Sequence, residues 1–474
     1  MTALHEHTAL ELHQLLQRGE TSPVEVARHF LERIERLDPL VGAFATVTAE
    51  AALLRARQVE ESVPRTAPLW GLPLADKDLH LRAGVPARFG SRAFTDFVPD
   101  DSDELVQTVD AAGAVSLGKS ATPEFGLPSY TEGLAGPPTR NPWDLRLGAG
   151  GSSGGAAAAV ASGMLPFAPG SDGGGSIRIP AAACGLVGVK PSRGRVPAGS
   201  GLASLAGLGV AGPLARTVAD AALLLDGLIA PAGYPAAHRF SLRAPGDDGP
   251  FLGAAIRGEG RFQVGIMTDS PWDEAYEIGI APEAHDALEV AIAALDALGH
   301  GIEAMAPAPE PDYAAAFRTI WQAGAATIPV DGEAEAMLEP LTRWLLERGR
   351  AVPARRLAES LAWLSGFEER VIRRFAGFDA VLTPALALTP RPIGWYDQHD
   401  GERNFAQQVQ YTPFTSFVNV AGLPAITVPV VETASGLPMG VQLIGRPGGE
   451  ATLFALAAQL ERRVRRARRH PAAW

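Results

Sequence analysis

Two glycine-rich serine clusters lie close together in the sequence. They read GGSSGG at 150–155 and GSDGGGS at 170–176, and an alanine run at 156–161 separates them. Glycine permits unusual backbone angles and a close approach to a ligand, so consecutive glycines can direct several N–H groups at one point. Such donors stabilise the oxyanion that forms when a hydroxyl attacks a carbonyl. Apolar residues flank both clusters, which favours a built site over a flexible linker.

Ser176 is the serine best placed to act as a nucleophile. It follows Gly173, Gly174 and Gly175 and precedes IRIP, an apolar segment able to anchor the loop. The amides of these three glycines and of Ser176 are the predicted oxyanion hole. A serine hydroxyl is a weak nucleophile, so a neighbouring base must take its proton.

The two clusters and several segments around them resemble the amidase signature family. The central match is GGSSGG followed by SDGGGSIRIPAAACGLVGVKPSRGRV, which is a highly specific motif. Supporting matches are GLPLADKD at 71–78, GPLART at 212–217, FDAVLTP at 378–384, NVAGLPAITVPV at 419–430 and GLPMGVQLIG at 436–445. The resemblance covers residues 8–460, except for a poorly matched stretch in the middle of the second half.

The resemblance implies a serine–serine–lysine triad. In it Ser176 is the nucleophile, Ser152 the bridge and Lys77 the base, and the two serines are 24 positions apart, as in the family. It also implies a cis peptide bond between Gly151 and Ser152. Lysine acts as a base only when neutral, so Lys77 must be withdrawn from water. No metal or organic cofactor is required.

Two positions depart from the family pattern. Asp76 precedes Lys77 where the family has an apolar residue, and Asp78 follows it. Carboxylates that face Lys77 would raise the pKa of its ammonium group and oppose its action as a base. The motif alone would describe a surface lysine between two aspartates. At the second departure, Gly173 stands where the family usually has a larger residue, which predicts a looser loop.

Other residues of the central motif are expected to support the site. Ser153 is predicted to supply a hydrogen bond and not a second nucleophile. The resemblance makes Arg178 structural, paired with Asp172. Cys184, the only cysteine of the chain, lies in AAACGL and is expected to be a small buried hydrophobic residue.

A competing interpretation is the nucleophile elbow, because residues 150–154 also fit G-x-S-x-G with Ser152 as the nucleophile. That motif needs a strand directly before the serine, but NPWDLRL at 141–147 contains Pro142 and predicts no strand. It also needs a later histidine. None of the five available lies in a recognisable context: His238, His285, His300, His399 and His470.

Patterns for phosphate or metal binding are weak. The glycine clusters lack the lysine that a P-loop places after its glycines. His5 and His7 flank Glu6 near the N-terminus without the i, i+4 spacing of a helical zinc site. We therefore expect no metal and no cofactor.

The composition is that of an ordinary globular protein, with 474 residues, 46% hydrophobic and 20% charged. A net charge of −12 argues against broad nucleic-acid binding, and the basic run at 462–469 fits a solvated helix end better. A single cysteine excludes an intramolecular disulfide. The N-terminal residues lack the pattern of a secretory signal, and no apolar stretch of about 18 residues predicts a membrane span. We expect a cytoplasmic protein that binds neither nucleic acid nor membrane.

The elements that must position these residues alternate between strands and helices. A strand at 72–75 leads to Lys77, a small-residue helix spans 155–163, and a strand at 165–168 enters the second serine cluster. A helix at 23–37 is expected to end at Pro39. The pattern predicts an α/β fold with a mixed, mostly buried central β-sheet covered by helices on both faces. We expect one domain over 1–474, with N-terminal helices in 1–60 and a helical subdomain at 310–376.

The predicted activity is hydrolysis of an amide bond in a small molecule, with carbamates, aryl amides and esters also open as substrates. The alternatives are the glutamine-hydrolysing subunit of a tRNA-dependent amidotransferase and a non-catalytic binding protein. The loop at 125–140 and the helical segment at 313–375 are expected to form the pocket. Four aromatic residues there could make the pocket apolar, but a core role is favoured for them: Phe125, Tyr130, Trp321 and Trp344. Homodimers are common in the family, although the sequence itself shows no sign of one.

Overall fold

A mixed eight-stranded sheet runs through the centre of the protein, with a three-stranded sheet beside it. The computed structural model describes residues 2–196, 205–229, 242, 250–464 and 470–474. In these ranges the strands are β1 (Phe44–Val47), β2 (Pro73–Lys77), β3 (Val115–Ser120), β4 (Arg140–Asn141), β5 (Asp144–Gly148), β6 (Phe167–Asp172), β7 (Val187–Lys190), β8 (Val210–Ala215), β9 (Gln263–Ile266), β10 (Gly301–Ala304), β11 (Ala380–Pro384), β12 (Ala425–Glu432) and β13 (Pro438–Gly445).

Sixteen α-helices lie in the described ranges. They are α1 (Ala9–Arg18), α2 (Pro23–Val41), α3 (Ala49–Ser62), α4 (Glu104–Ala111), α5 (Gly154–Ala161), α6 (Arg178–Ala183), α7 (Val218–Leu228), α8 (Phe251–Arg257), α9 (Pro282–Ala297), α10 (Tyr313–Ala325), α11 (Gly332–Ala336), α12 (Pro340–Arg350), α13 (Ala354–Phe375), α14 (Gly401–Tyr411), α15 (Ser416–Val420) and α16 (Glu450–Val464). None of those in the described ranges is both long and apolar enough to cross a membrane.

The large sheet has the strand order β10-β9-β11-β13-β12-β7-β8-β6. β9 runs parallel to β10 and β11, and the other neighbouring strands are antiparallel. Every residue of β11 and β13 is buried. Because successive side chains of a strand point to opposite faces, this burial means that both faces of the sheet are covered. The predicted mixed, buried sheet with helices on both faces is confirmed.

The small sheet brings Lys77 to the edge of the large one. It has the order β1-β3-β2, with β2 parallel and β1 antiparallel to β3. Lys77 is the last residue of β2, and its Nζ donates to the carbonyl of Ser171 in β6 at 3.2 Å. Because β6 ends the strand order of the large sheet, the two sheets meet at this lysine.

Helix α5 connects the two serine clusters through the core. All of its residues are buried, and they are glycines, alanines and one valine. A helix that is apolar on every side belongs in the interior. A side chain at Gly155 would collide with the backbone of Ala121, so only glycine fits this close approach. The burial of α5 fixes the first serine cluster relative to β6, which follows it.

Several elements differ from the sequence prediction, among them α2, β8 and β5. The expected end of α2 at Pro39 is wrong, because the helix continues to Val41. Proline removes only its own N–H donor, and the carbonyl of Asp38 still accepts from Gly42 at 2.8 Å. Gly42, with φ of 69°, ends the helix. Strand β8, which contains Pro213, was not predicted. Strand β5 was also not predicted, and it bears on the site below.

The segment at 310–376 is helical, as expected, and contains α10 to α13. Tyr313 and Phe317 of α10 pack into an aromatic cluster with Phe367 of α13, and the Tyr313 and Phe367 ring centroids are 4.9 Å apart. Trp321 and Trp344 lie at the border of this cluster and are only partly buried. Helix α10 therefore has one face in the core, and Trp321 is incompletely covered.

Candidate active site

Lys77 is fully buried, and its ammonium group faces two serine hydroxyls. Its Nζ lies 2.8 Å from Ser152 Oγ and 3.0 Å from Ser171 Oγ. The alternation of side chains along β2 turns Asp76 and Asp78 to the other side of the strand. The expectation of a surface lysine is therefore excluded, and Lys77 joins the first serine cluster to β6.

The carboxylates of the two flanking aspartates are paired with other positively charged side chains. Asp76 accepts from Arg82 Nε at 2.7 Å, and Asp78 lies 3.3 Å from Lys119 Nζ. Burial lowers the pKa of Lys77 to about 7, and the charge of Asp172 opposes this shift. The concern that Asp76 and Asp78 raise the pKa of Lys77 is thus not supported. A pKa near 7 makes the neutral form of Lys77 accessible at neutral pH.

Ser152 is held by a closely packed loop. The peptide bond between Gly151 and Ser152 is cis, as the resemblance implied. A Cβ at Gly151 would lie 2.6 Å from the backbone nitrogen of Tyr130, so the position requires glycine. Thr131 Oγ1 donates to the carbonyl of Gly150 at 2.8 Å. The segment that contains Tyr130 and Thr131 therefore covers the cis peptide and fixes the Ser152 hydroxyl opposite Lys77.

Backbone and side-chain hydrogen bonds join the two serine clusters. Ser153 N–H donates to the carbonyl of Ser176 at 3.1 Å, and Ser153 Oγ lies 3.3 Å from both the nitrogen and the oxygen of Ser171. The supporting role predicted for Ser153 is confirmed. In the described part of the chain, no hydrogen bond joins the hydroxyls of Ser152 and Ser176. Catalytic hydrogen bonds are often long without substrate and tighten when it binds.

The loop before Ser176 is organised by Asp172. Its Oδ1 accepts from the amide of Gly175 at 2.7 Å and from Arg178 Nη2 at 2.9 Å, and Asn419 Nδ2 donates to the same oxygen at 2.9 Å. Burial alone would raise the pKa of the Asp172 carboxyl, but the adjacent Arg178 guanidinium holds it well below its usual range. The predicted pair of Arg178 and Asp172 is confirmed.

Three of the four predicted oxyanion amides lack an acceptor. Among the described residues, none accepts from the N–H of Gly173, Gly174 or Ser176, whereas the N–H of Gly175 is taken by Asp172. Gly175 has φ of 132°, a backbone conformation that favours glycine. Gly175 therefore shapes the turn, and the other three amides are available to a ligand.

Three contacts of the site were not predicted from the sequence. Ser171 lies in the matched central motif, but no role was predicted for it, and its hydroxyl accepts from Lys77. Thr415 Oγ1 donates to the carbonyl of Gly174 at 2.6 Å, and Asn419 Nδ2 donates to the carbonyl of Asp172 at 2.8 Å. Asn419 begins the matched segment at 419–430, which was the available signal. Thr415 lies in no recognised motif.

The strand that the nucleophile elbow requires is present, so its predicted absence is wrong. β5 runs directly up to the first cluster, and Pro142 lies in the turn between β4 and β5. These two strands form a ribbon outside the large sheet. The Ser152 hydroxyl accepts from Lys77, and in the described ranges no histidine is hydrogen-bonded to Ser152 or Ser176. His238 lies outside these ranges. The contacts favour a lysine-based site.

Cys184 is buried in the core, as expected. Its sulfur lies 3.6 Å from the carbonyl of Ala149, and burial raises the pKa of the thiol well above its usual range. A thiol with a raised pKa is a poor nucleophile at neutral pH.

Comparisons with known proteins show which family the chain belongs to. The family model described as Amidase matches residues 25–454. The chain is 38% identical to a Mycobacterium tuberculosis protein that is named as an amidase, AmiB2, over 94% of both chains. It is 34% identical to a glutamyl-tRNA(Gln) amidotransferase subunit of Nitratidesulfovibrio vulgaris over 98% of both chains. The structure of a 6-aminohexanoate cyclic dimer hydrolase superposes with a TM-score of 0.88 and 30% identity, covering 99% of each chain. The chain belongs to the amidase family.

Proposed function

We propose that this protein hydrolyses carboxylic amides through an acyl-enzyme on Ser176. One observation carries the proposal: a fully buried Lys77, with a pKa lowered to about 7, donates to the Ser152 hydroxyl at 2.8 Å. A lysine in this state can accept a proton at neutral pH, and a hydroxyl can relay it. The family membership and the amidases among the relatives support the same reaction.

The proposed first half-reaction forms an ester and releases an amine. Ser176 Oγ attacks the amide carbonyl while its proton passes to Ser152, and the Ser152 proton passes to Lys77. The amides of Gly173, Gly174 and Ser176 stabilise the negative oxygen of the tetrahedral intermediate. The same relay then returns a proton to the amide nitrogen, the C–N bond breaks and the amine leaves.

The second half-reaction consumes one water molecule. Water attacks the acyl carbon of the Ser176 ester, and Lys77 draws its proton through Ser152. The tetrahedral intermediate collapses, Ser176 recovers its proton, and the carboxylic acid leaves. Each turnover therefore converts an amide and water into an acid and an amine and restores neutral Lys77. No step needs a metal or an organic cofactor.

A fluorophosphonate tests the proposal directly, because it phosphonylates activated serines. We expect one adduct per chain by intact mass, located on Ser176 by peptide mapping, and strongly slowed labelling in Lys77→Met. Ser153→Ala is the matched control, since Ser153 lies beside the relay without contacting Lys77, and its labelling should persist. An adduct on Ser152 would restore the nucleophile elbow. The absence of any adduct would contradict the proposal.

Glutamine hydrolysis within a larger assembly is the second candidate, because the similarity to the amidotransferase subunit extends over 98% of both chains. A glutaminase of this kind would release ammonia from glutamine in preference to other amides. We expect instead that the isolated protein hydrolyses simple amides steadily, without preference for glutamine. A clear preference for glutamine in an ammonia assay would support the second candidate.

Other features predicted from the sequence remain proposals. The segment at 310–376 and the loop at 125–140 are proposed to form the pocket. Carbamates, aryl amides and esters are proposed as further substrates of the same acyl-enzyme chemistry. A homodimer and a cytoplasmic location also remain predictions. Size-exclusion chromatography with light scattering measures the oligomeric state directly.

A further inference from the structure

Two aromatic rings of α10 lie against the loop that carries the free amides. We call Phe317 and Trp321 the aromatic wall. Their rings are stacked, with centroids 5.6 Å apart and an interplanar angle of 17°. A Cβ at Gly173 would lie 3.6 Å from Trp321, and a Cβ at Gly174 would lie 3.8 Å from Phe317. The aromatic wall therefore borders the proposed oxyanion hole directly.

The polar groups behind the aromatic wall are occupied. The Ser416 hydroxyl is hydrogen-bonded to Tyr313 Oη at 2.8 Å and to Trp272 Nε1 at 3.0 Å. Thr415 Oγ1 is bound to the carbonyl of Gly174. The atoms nearest to a side chain at Gly173 all belong to the Trp321 ring. The described groups nearest to the loop at Gly173 and Gly174 are therefore aromatic rings and hydroxyls that already have partners.

Gly173 allows Trp321 to approach the loop this closely. Gly173 has no positive φ, so its backbone conformation does not require glycine. A methyl group there would just touch the Trp321 ring at van der Waals distance. A larger side chain would have to displace the ring. The close approach of Trp321 to the loop therefore depends on the absence of a large side chain at Gly173.

We propose that Trp321, admitted by Gly173 and stacked on Phe317, is a specificity-determining residue that favours amides with a planar, uncharged substituent beside the scissile carbonyl. Flat rings gain from offset or edge contacts with an aromatic surface beyond the area that they bury. A charged substituent would lose its hydration against this wall without finding a partner. The inference rests on the proposed function, because it assigns the wall to the same site.

The test compares benzamide with cyclohexanecarboxamide, which has a similar size but a puckered ring. The readout is the concentration of each amide that halves the rate of fluorophosphonate labelling at Ser176, which does not require turnover. In the wild-type protein we expect benzamide to protect at roughly fivefold lower concentration. Trp321→Ala should abolish this advantage, and Trp321→Phe should keep part of it. Trp363→Ala is the matched control in the same helical segment and should keep all of it.

Variants at Gly173 test the other half of the arrangement. Gly173→Ala should preserve the preference for benzamide, whereas Gly173→Val should reduce it, because the larger side chain displaces Trp321. An unchanged preference in Trp321→Ala, or no protection by either amide in the wild-type protein, would overturn the inference. Failure of the wild-type protein to label at Ser176 would instead overturn the proposed function. The two failures are therefore distinguishable.

Discussion

Lys77 and Lys190 lie in two regions of the core and are alike in burial but not in partners. Both side chains are fully buried, and burial lowers the pKa of each to about 7. Lys77 donates to the hydroxyls of Ser152 and Ser171, whereas Lys190 donates to the carbonyl of Pro191 at 2.8 Å. A carbonyl cannot pass on a proton, so Lys77 alone of this pair is placed for proton transfer. A lowered pKa does not by itself identify a base.

The charges around the two lysines also differ. Beyond burial, the guanidinium of Arg178 lowers the pKa of Lys190, while the carboxylates of Asp172 and Glu450 raise it. For Lys77 the opposing charge is that of Asp172. Lys190 therefore belongs to a network of charges behind the oxyanion loop, and Lys77 stands at the border of that network, next to the hydroxyls. Paired substitutions can separate these roles.

Replacement of each lysine by methionine should give the largest contrast. Lys77→Met removes the base, so kcat/KM for an amide should fall by roughly 1,000-fold, within the range of general acid–base catalysis. Lys190→Met should cost less than about tenfold, because no proton passes through Lys190. Steady-state kinetics on both variants, with circular dichroism to confirm folding, makes the measurement. Equal losses would contradict the distinction between the two lysines.

The Asp172 carboxylate, whose charge raises the pKa of both lysines, should also contribute to stability. Asp172→Asn leaves the fully buried Arg178 without its counter-charge, which should cost about 3 kcal/mol of unfolding free energy. Asp144→Asn breaks a pair in which Arg146 is largely exposed, so the unfolding free energy should fall far less than in Asp172→Asn. Urea denaturation measures both values. A small effect of Asp172→Asn would mean that the network behind the loop is not a structural support.

Ser152 and Ser153 give a second comparison, between a hydroxyl in the proposed relay and a hydroxyl outside it. Ser152→Ala interrupts the proposed relay from Ser176 to Lys77, and kcat/KM should fall by roughly 100-fold. Ser153→Ala removes only the long hydrogen bonds to the backbone of Ser171, so the loss should stay below about tenfold. The ratio of the two losses, measured with one substrate, is the informative quantity. If Ser153→Ala were the more damaging change, the bridge would be wrongly assigned.

The pH dependence should follow the protonation of Lys77. Neutral Lys77 is the active form, and its pKa is about 7, so activity should rise with pH and level off above 7. Below this value kcat/KM should fall about tenfold per pH unit as the ammonium form accumulates. Because Lys190 has a similar pKa, Lys190→Met is the control, and its activity should show the same fall at low pH. If activity no longer fell at low pH in Lys190→Met, the titrating group would be Lys190 and not Lys77.

The sequence predicted the site more fully than its surroundings. The glycines and the spacing of Ser152 and Ser176 are local properties, and Lys77 was identified by its own matched segment. The orientation of Asp76 and Asp78 could also have been predicted, because alternate residues of a strand face opposite sides. The step that was missing was to extend the predicted strand at 72–75 as far as Lys77, where β2 ends.

Other features depend on contacts between distant segments and could not be predicted. The sequence favoured a core role for Trp321, whereas its place beside Gly173 depends on how α10 packs against the loop. Strand β5 was missed because its residues pair in a short ribbon after Pro142, and such pairing overrides weak local preference. The continuation of α2 past Pro39 could not be predicted for the same reason. The free-energy cost of a proline within a helix depends on which carbonyl loses its donor.

The neutral state of Lys77 is the central claim, and NMR can measure it directly. The chain contains three lysines, Lys77, Lys119 and Lys190, so lysine labelled with ¹³C at Cε gives three signals. The signal that disappears in Lys77→Met is that of Lys77. We predict that it titrates with a midpoint of about 7. If it remained in the charged form up to about pH 9, near the range of an ordinary lysine, Lys77 could not be the base.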